Sequence, residues 1–497
     1  MAQTRGDGKN SRYNTRMDPR FINRLKDIVG EDGIRLADAQ REAYASDAYT
    51  LAKARPGVIV LPRLTDQVAA IAKLCKDFSV PMVPRGAGTG LSGGAMARED
   101  AVLLCLSRMN AILSVDTANR RVRAQAGAVN TYLTKAVAAE GYQYAPDPSS
   151  QGASTIGGNI ANNAGGPHTL KYGVTVNHIL AVQVVLPDGQ IMEIDSDEHG
   201  YDLLGVLVGS EGTMGIITEA TVKIVPNPEA IRTLLVVCDS VLTATNLISA
   251  IIAEGIVPAA LEMIDQTILR VVEETYKLGL PIDAGAVLLV EVDGAEIGIE
   301  LQASRVEALC IAGGAIRVEV AKDPAERAKL WTARKKAVGC LGRLAPSHAT
   351  QDGVVPRTKL PQILKEIEGI AAKHNLKIAN VFHAGDGNLH PVVLFDERDP
   401  EEVKRVLAAG GDILRACVDV GGALTGEHGI GLEKQEFLGM MFTEDDIDTM
   451  LRLRSVFNPD DLLNPGKLFP VGGNCCPHLP RADEAQLKGI AARAAGV

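Results

Sequence analysis

A chain of 497 residues exceeds the roughly 250 to 300 at which a single hydrophobic core stops growing, so two or three domains are expected. Its 46% hydrophobic and 23% charged content is that of a soluble globular protein, while 4% aromatic content and a formal charge of -10 argue against binding nucleic acid. Eight cysteines without framework spacing, no apolar leader and no long uncharged apolar stretch exclude a disulfide scaffold and a transmembrane segment, and a cytoplasmic protein is expected.

Residues 1–25 are polar and expected to be disordered, and their scattered basic residues leave an organelle-targeting reading open. An α/β opening follows: a strand at 58–61, a helix capped at Thr65 with Val68, Ile71, Leu74, Cys75 and Phe78 on one face, and a strand at 80–83. Residues 84–95 then carry glycine at 86, 88, 90, 93 and 94. Glycine reaches positive φ and lacks the Cβ that would hold an anion off the main-chain N–H groups, so this loop is expected to cradle a diphosphate. Gly88, Gly90 and Gly93 satisfy the G-x-G-x-x-G pattern, yet only residues 94–101 separate them from the apolar run at 102–107. That is shorter than a parallel crossover of at least about ten residues, so the loop is expected to join strands without a Rossmann helix.

After a strand near 121–126 and a helix at 132–140, residues 146–167 are dense in Gly and Asn. Little there can fill a core; its small residues and amides suit close hydrogen bonding to a flat, heteroatom-rich ligand such as a flavin. Strands at 179–186 and 190–194 form a hairpin through Asp188-Gly189, and residues 209–216 repeat the glycine-rich character before a strand at 215–225. Three such stretches point to a large nucleotide cofactor.

Pro226 and Pro228 mark a boundary. Beyond it, two βαβ units, at 233–263 and 286–321, predict a ferredoxin-like α+β cap, with helices near 325–340, 361–373, 400–420 and 444–457 around a strand at 377–383. The expected organisation is a cofactor-binding domain at 26–228, a substrate or cap domain with a metal site at 229–443, a C-terminal helix at 444–470 returning to the first domain, and a flexible tail at 471–497.

His383 and His390, seven apart and joined by an Asp386-Gly387 turn, can converge on one ion, and Glu427 can complete an N,N,O set with open positions. Arg334 is either a solvated helix charge or a bidentate clamp on a substrate carboxylate. Lys467 either helps to end the last helix or reaches a flavin edge. The tail Cys475-Cys476-Pro477-His478 lacks metal partners, and no iron–sulfur spacing occurs.

Taken in order over residues 55–470, these segments resemble the FAD-linked oxidases of the vanillyl-alcohol oxidase / p-cresol methylhydroxylase type, nearest to glycolate oxidase FAD subunits and D-lactate and D-2-hydroxyglutarate dehydrogenases. The stretches that carry the resemblance are 84–94, 156–166, 209–215, 383–390, Gly426-Glu-His-Gly and Asn464-Pro-Gly-Lys. The resemblance implies an α+β architecture: a two-lobed FAD-binding domain of p-cresol methylhydroxylase type, a ferredoxin-like cap and a C-terminal helical segment. It implies FAD held noncovalently, because the first loop lacks the His that tethers flavin in some relatives. The pyrophosphate would lie on Pro84, Arg85, Gly86, Ala87, Gly88, Thr89 and Gly90. The flavin would lie against Pro146, Asp147, Ser150, Gly157, Gly158, Asn159, Asn162, Gly165, Gly166, Glu211, Gly212, Gly215 and Ile216, with Asn464 nearby.

By the same resemblance, His383, His390 and Glu427 match divalent-metal ligands, with zinc the expected ion, His428 a catalytic base and Arg334 a carboxylate anchor. The implied reaction is oxidation of a short 2-hydroxy acid, glycolate or D-lactate, to the 2-oxo acid with hydride transfer to flavin N5. Hydroxyglutarate-specific relatives carry extra polar anchors near positions held here by Thr350 and Val392. A D-2-hydroxyglutarate dehydrogenase, a non-catalytic flavin relay subunit and a flavin-dependent transferase are the alternatives. Implied partners are a second flavin subunit and an iron–sulfur subunit as electron acceptor, in a homo- or hetero-oligomer, with peripheral association at the inner membrane.

Overall fold

The computed structural model describes residues 17–470. It opens with the helix Pro19–Val29, capped by the Asp18 side chain, which accepts from Arg20 N–H. Phe21, Leu25 and Val29, spaced i, i+4, i+8, are buried on one face, and that stripe orders a segment expected to be disordered through residue 25. Residues 1–16 and the Cys475-Cys476 tail lie outside the described residues.

Two sheets build the N-terminal half. The first runs Ile34–Arg35, Val58–Val60, Val102–Cys105, Met82–Arg85, and the second runs Ile112–Asp116, Arg121–Gln125, Ile216–Lys223, Ile179–Val185, Ile191–Asp195. One core joins them, with Val60, Ile71, Leu104, Val122, Val184 and Val222 fully buried. The helix Thr65–Phe78 forms as expected, but Thr65 does not cap it; its hydroxyl donates instead to Gln183 Oε1 at 2.7 Å, pinning the helix to the second sheet.

The strands Met82–Arg85 and Val102–Cys105 pair in parallel. The connection at 86–101 contains no helix, as expected, but the entire glycine loop serves as the parallel crossover, which the brevity of residues 94–101 alone seemed to forbid. Residues 146–167 also differ from expectation: the helix Ile156–Asn162 forms there, and Ile156 and Ile160 enter the core. A Cβ on Gly157 would lie 2.7 Å from Ala126 Cβ, so glycine is what lets this helix seat against the sheet.

In the C-terminal half the strands Arg317–Val320, Ala230–Cys238, Ala286–Gly294 and Ala260–Asp265 lie side by side in that order, all antiparallel. Numbered along the chain this is order 4-1-3-2, which with the helices Val241–Ala253 and Ile299–Ala312 is the expected ferredoxin-like unit. A further helix, Gln266–Tyr276, follows the second strand, capped by Asp265. Lys377–His383 adds to the Ala260–Asp265 edge in a register that sets Glu262 opposite His383. The short strands Ser347–Thr350, Gly353–Val354, Asn388–Leu389 and Pro391–Phe395 extend it further.

The helix Glu444–Phe457 brings the chain back: Met82 N–H donates to Leu462 O, Asn464 N–H donates to Met82 O, and Phe457 and Leu463 join the N-terminal core. Among the described residues, no helix is long and apolar enough to cross a membrane.

Candidate active site

Between the lobes lies a cavity of about 310 Å³. Gly86, Gly88 and Gly90 from the first loop, Gly157 and Gly158 from the helix Ile156–Asn162, and Gly212 and Gly215 from the third stretch all face it. Gly88 and Gly212 have φ of +72° and +67°, conformations that glycine adopts without strain. A Cβ on Gly90 would project into the cavity and meet protein only at 3.9 Å, so the loop is shaped for close approach by something else. Arg85 lines the cavity with its guanidinium packed beside Gly88 and tied to Ser46 O at 2.9 Å, and the loop's main-chain N–H groups are placed to meet a diphosphate. Ser154 Oγ and Asn159 Nδ2 are buried without partners on this wall. Orphaned polar atoms and a glycine cradle are what a large dinucleotide would satisfy and fill.

The far end of the cavity is the histidine cluster. His383 Nε2 and His390 Nε2 each lie 3.1 Å from Glu427 Oε1. The other nitrogens are engaged: His383 Nδ1 faces Glu262 Oε1 at 2.8 Å, and His390 Nδ1 faces the Gln351 carbonyl at 3.2 Å. Both outer partners are acceptors, so Nδ1 of each ring carries a proton and the two Nε2 atoms converge on the Glu427 carboxylate. Burial opposes charge on both partners of the His383–Glu427 pair. Even so, Glu262 and Glu427 hold His383 well above its ordinary pKa, and the two histidines hold Glu427 well below its own. Such a field favours positive charge at the shared point.

Arg334 is 4% exposed, which removes the solvated reading. Its Nε donates to Glu262 Oε2 at 2.5 Å and its Nη2 lies 3.4 Å from His383 Nδ1. Its Nη1 has no protein partner among the described residues, so one arm rather than a full fork faces the cavity. His428 stacks on His390 with centroids 4.8 Å apart and planes at 4°, and its Nδ1 is buried without a partner. Burial, the largest influence, pulls His428 down to about 4, leaving it neutral at physiological pH.

Of the residues expected at the site, Pro84, Arg85, Gly86, Ala87, Gly88, Thr89, Gly90, Ser150, Gly157, Gly158, Asn159, Asn162, Glu211, Gly212, Gly215 and Ile216 line the cavity, with Arg334, His390, Glu427 and His428. Pro146, Asp147, Gly165, Gly166, His383 and Asn464 do not, His383 lying behind Glu427 and His390. Asp147 instead faces His168 Nδ1 at 2.8 Å, the Pro146 carbonyl accepts from Asn130, and Asn464 donates to the carbonyls of Gly94 and Glu211. Lys467 is also diverted, donating to Met96 O at 2.7 Å. Of the two positions linked to hydroxyglutarate anchoring, Thr350 lines the cavity, whereas Val392 is fully buried in the cap core.

Two contributors were not singled out in the sequence. Glu262 lies in an apolar strand, where a lone carboxylate is costly unless paired, and that cost was the available signal. Asp352 precedes a glycine and reads as a turn residue; nothing local distinguishes it.

Fold and cavity together define a two-lobed protein built to hold a large dinucleotide between its lobes. Residues 56–195 match the family model for an FAD binding domain, and residues 227–468 match that for the C-terminal domain of FAD linked oxidases. The chain is 45% identical over 435 residues to glycolate oxidase subunit GlcD of Escherichia coli (strain K12), covering 87% of each. It is 33% identical over 472 residues to a D-lactate dehydrogenase of Anaerostipes hadrus, covering 92% of this chain and 98% of the relative. The fold is similar to that of p-cresol methylhydroxylase with substrate bound, with a TM-score of 0.77 at 14% identity over 90% of this chain and 96% of that one. The chain belongs to the FAD-linked oxidase family and is an FAD-dependent oxidoreductase.

Proposed function

We propose that the protein oxidises a short 2-hydroxy acid, of the size of glycolate or D-lactate, to the 2-oxo acid, with FAD bound noncovalently and a divalent cation, zinc in the first instance, at the histidine cluster. The observation that carries the reading is the convergence of two imidazole Nε2 atoms on one Glu427 oxygen, beside the Arg334 arm and the unpartnered His428 nitrogen. Two imidazole nitrogens gathered on one carboxylate oxygen at that range form an N,N,O set that a cation can occupy in place of the protons that otherwise hold it together.

FAD, when bound, supplies a two-electron acceptor. A cation would be held by His383, His390 and Glu427 and would supply Lewis acidity toward a substrate hydroxyl. The chain's own residues do the rest. Arg334 orients the carboxylate through Nη1, and His428 Nδ1 takes the hydroxyl proton as the Cα–H bond breaks and its electron pair leaves with the hydrogen. The C–O bond becomes the carbonyl of the product. Arg85 and Arg334 are the basic residues with permanent charge on the cavity wall, one tied to Ser46 and the other matched by Glu262. That balance supports a monocarboxylate over a dicarboxylate. A relative printed as a subunit supports transfer of the electrons onward to a partner subunit.

Turnover with a dye acceptor across glycolate, both lactate enantiomers, malate and 2-hydroxyglutarate tests the reading. Activity with the short monocarboxylates, lost on chelation and restored by zinc or manganese, is expected; indifference to chelation would remove the metal, and preference for 2-hydroxyglutarate the short substrate.

A further inference from the structure

One buried carboxylate beside this site has no part in the reaction as described. Asp352 is fully buried and does not line the cavity. It lies just before the strand Gly353–Val354 and accepts from five donors on one short loop. Its Oδ2 takes Thr425 Oγ1 at 2.5 Å, Gly426 N at 3.1 Å, His428 N at 3.0 Å and Lys434 Nζ at 2.9 Å, and its Oδ1 takes Glu427 N at 3.2 Å. Three consecutive main-chain N–H groups thus converge on a single carboxylate, the anion-holding arrangement of a backbone nest, supplied here by the protein itself.

The loop is held from two sides. Its later half belongs to the FAD lobe: Glu211 accepts from Ile430 N and Gly431 N at 2.6 and 2.7 Å, while Ser92 and Asn162 donate to the His428 carbonyl, each at 3.1 Å. The N–H groups of residues 426–428 have no other acceptor among the described residues. Their orientation therefore rests on Asp352, and two of the three belong to Glu427 and His428.

We propose that Asp352 is the positioning residue of this site, fixing the backbone at Glu427 and His428 so that one side chain reaches both imidazoles and the other stacks on His390. The proposal rests on the functional reading above. The rival account makes Asp352 only a counter-ion for Lys434, which is itself fully buried.

The test uses the full-length FAD-loaded enzyme and compares Asp352→Asn, Thr425→Val and the charge-balanced double variant Asp352→Asn with Lys434→Met. Positioning predicts that D352N keeps its flavin and its KM, because Arg334 is untouched, but loses about a hundredfold in kcat, as misplacement of reacting groups does. Bound metal falls with it. The double variant stays as slow, and T425V shows a smaller loss in kcat, again with KM unchanged. Recovery of the double variant to within about tenfold of wild type would make Asp352 a counter-ion and overturn the proposal, as would wild-type kcat and metal content in D352N. If D352N fails to fold, T425V decides: unchanged kcat overturns the proposal. Wild type that turns over no hydroxy acid refutes the substrate reading instead, and the metal content of the variants against wild type still decides the role of Asp352.

Discussion

At the residue scale, chemistry rests on His383, His390, Glu427, His428 and Arg334, whose environments differ more than their identities suggest. His428 is the one histidine of the cluster with a buried, unpartnered nitrogen, so replacing it should remove the proton acceptor and little else. His428→Gln is expected to keep flavin and slow its anaerobic reduction by about a hundredfold or more; near wild-type reduction by stopped flow would reassign the base. Glu262 joins Arg334 to His383 through one fully buried carboxylate. Glu262→Gln leaves Arg334 facing a neutral amide and His383 without its anionic support. Raised KM together with weakened metal retention is the expected outcome, measured by steady-state kinetics and metal analysis after dialysis. His383, His390, Glu427, His428 and Arg334 were visible in the sequence because polar residues in glycine-rich turns, or beside family motifs, stand out. Glu262 and Asp352 were not, because their function comes from pairing with chain segments far away in sequence, a relation no local pattern encodes.

At the element scale, the glycine stretches act as shaped backbone. Gly212, at φ +67°, would place a Cβ 2.7 Å from Pro84 Cγ, so a side chain there is both strained and crowded against the first loop. Gly212→Ala should therefore fold but purify with much less flavin, read as the ratio of flavin to protein absorbance; full occupancy would show that the third stretch is not part of the cradle. Most helices and long strands were legible from periodicity, and the ferredoxin-like order followed from two βαβ units. Three things were less legible. The helix Pro19–Val29 interleaves its apolar residues with Arg20, Arg24, Lys26 and Asp27, and its buried three-residue stripe was masked by that charge. The helix Ile156–Asn162 contains two glycines and forms because it packs on Ala126, a tertiary effect. The strands at 347–354 and 388–395 are too short to announce themselves, yet they carry Thr350 and lead into His390.

At the scale of the whole molecule, the lobes meet at a second polar junction as well as at the active site. His168 Nδ1 lies 2.8 Å from Asp147 and its Nε2 3.4 Å from Glu291, while its ring stacks on Trp331 with centroids 5.3 Å apart. Glu291 also accepts from Arg327, Trp331 and Thr233, and beside it Lys171 and Tyr172 hold Asp293. A neutral imidazole cannot donate to two carboxylates, so this junction holds an imidazolium. Burial opposes that charge, but Asp147 and Glu291 outweigh it and raise the group to about 10. A folded pKa above the unfolded one stabilises the protein fully below about 6.5, and the benefit is lost as pH rises toward the folded value. The gap in Tm between wild type and His168→Gln should therefore be widest near pH 6 and close as pH approaches about 10; a gap that widened with pH would contradict a charged His168. Trp331 is the single tryptophan of the chain, so its fluorescence reports on the junction directly.

One cavity must hold the flavin where a hydroxy acid can reduce it. Mixing the purified, FAD-loaded protein with glycolate or D-lactate in the absence of oxygen and following the flavin absorbance is the most direct examination. Complete bleaching by one of these acids, without any added partner, is predicted; a flavin that stays oxidised in the presence of every short 2-hydroxy acid would contradict it.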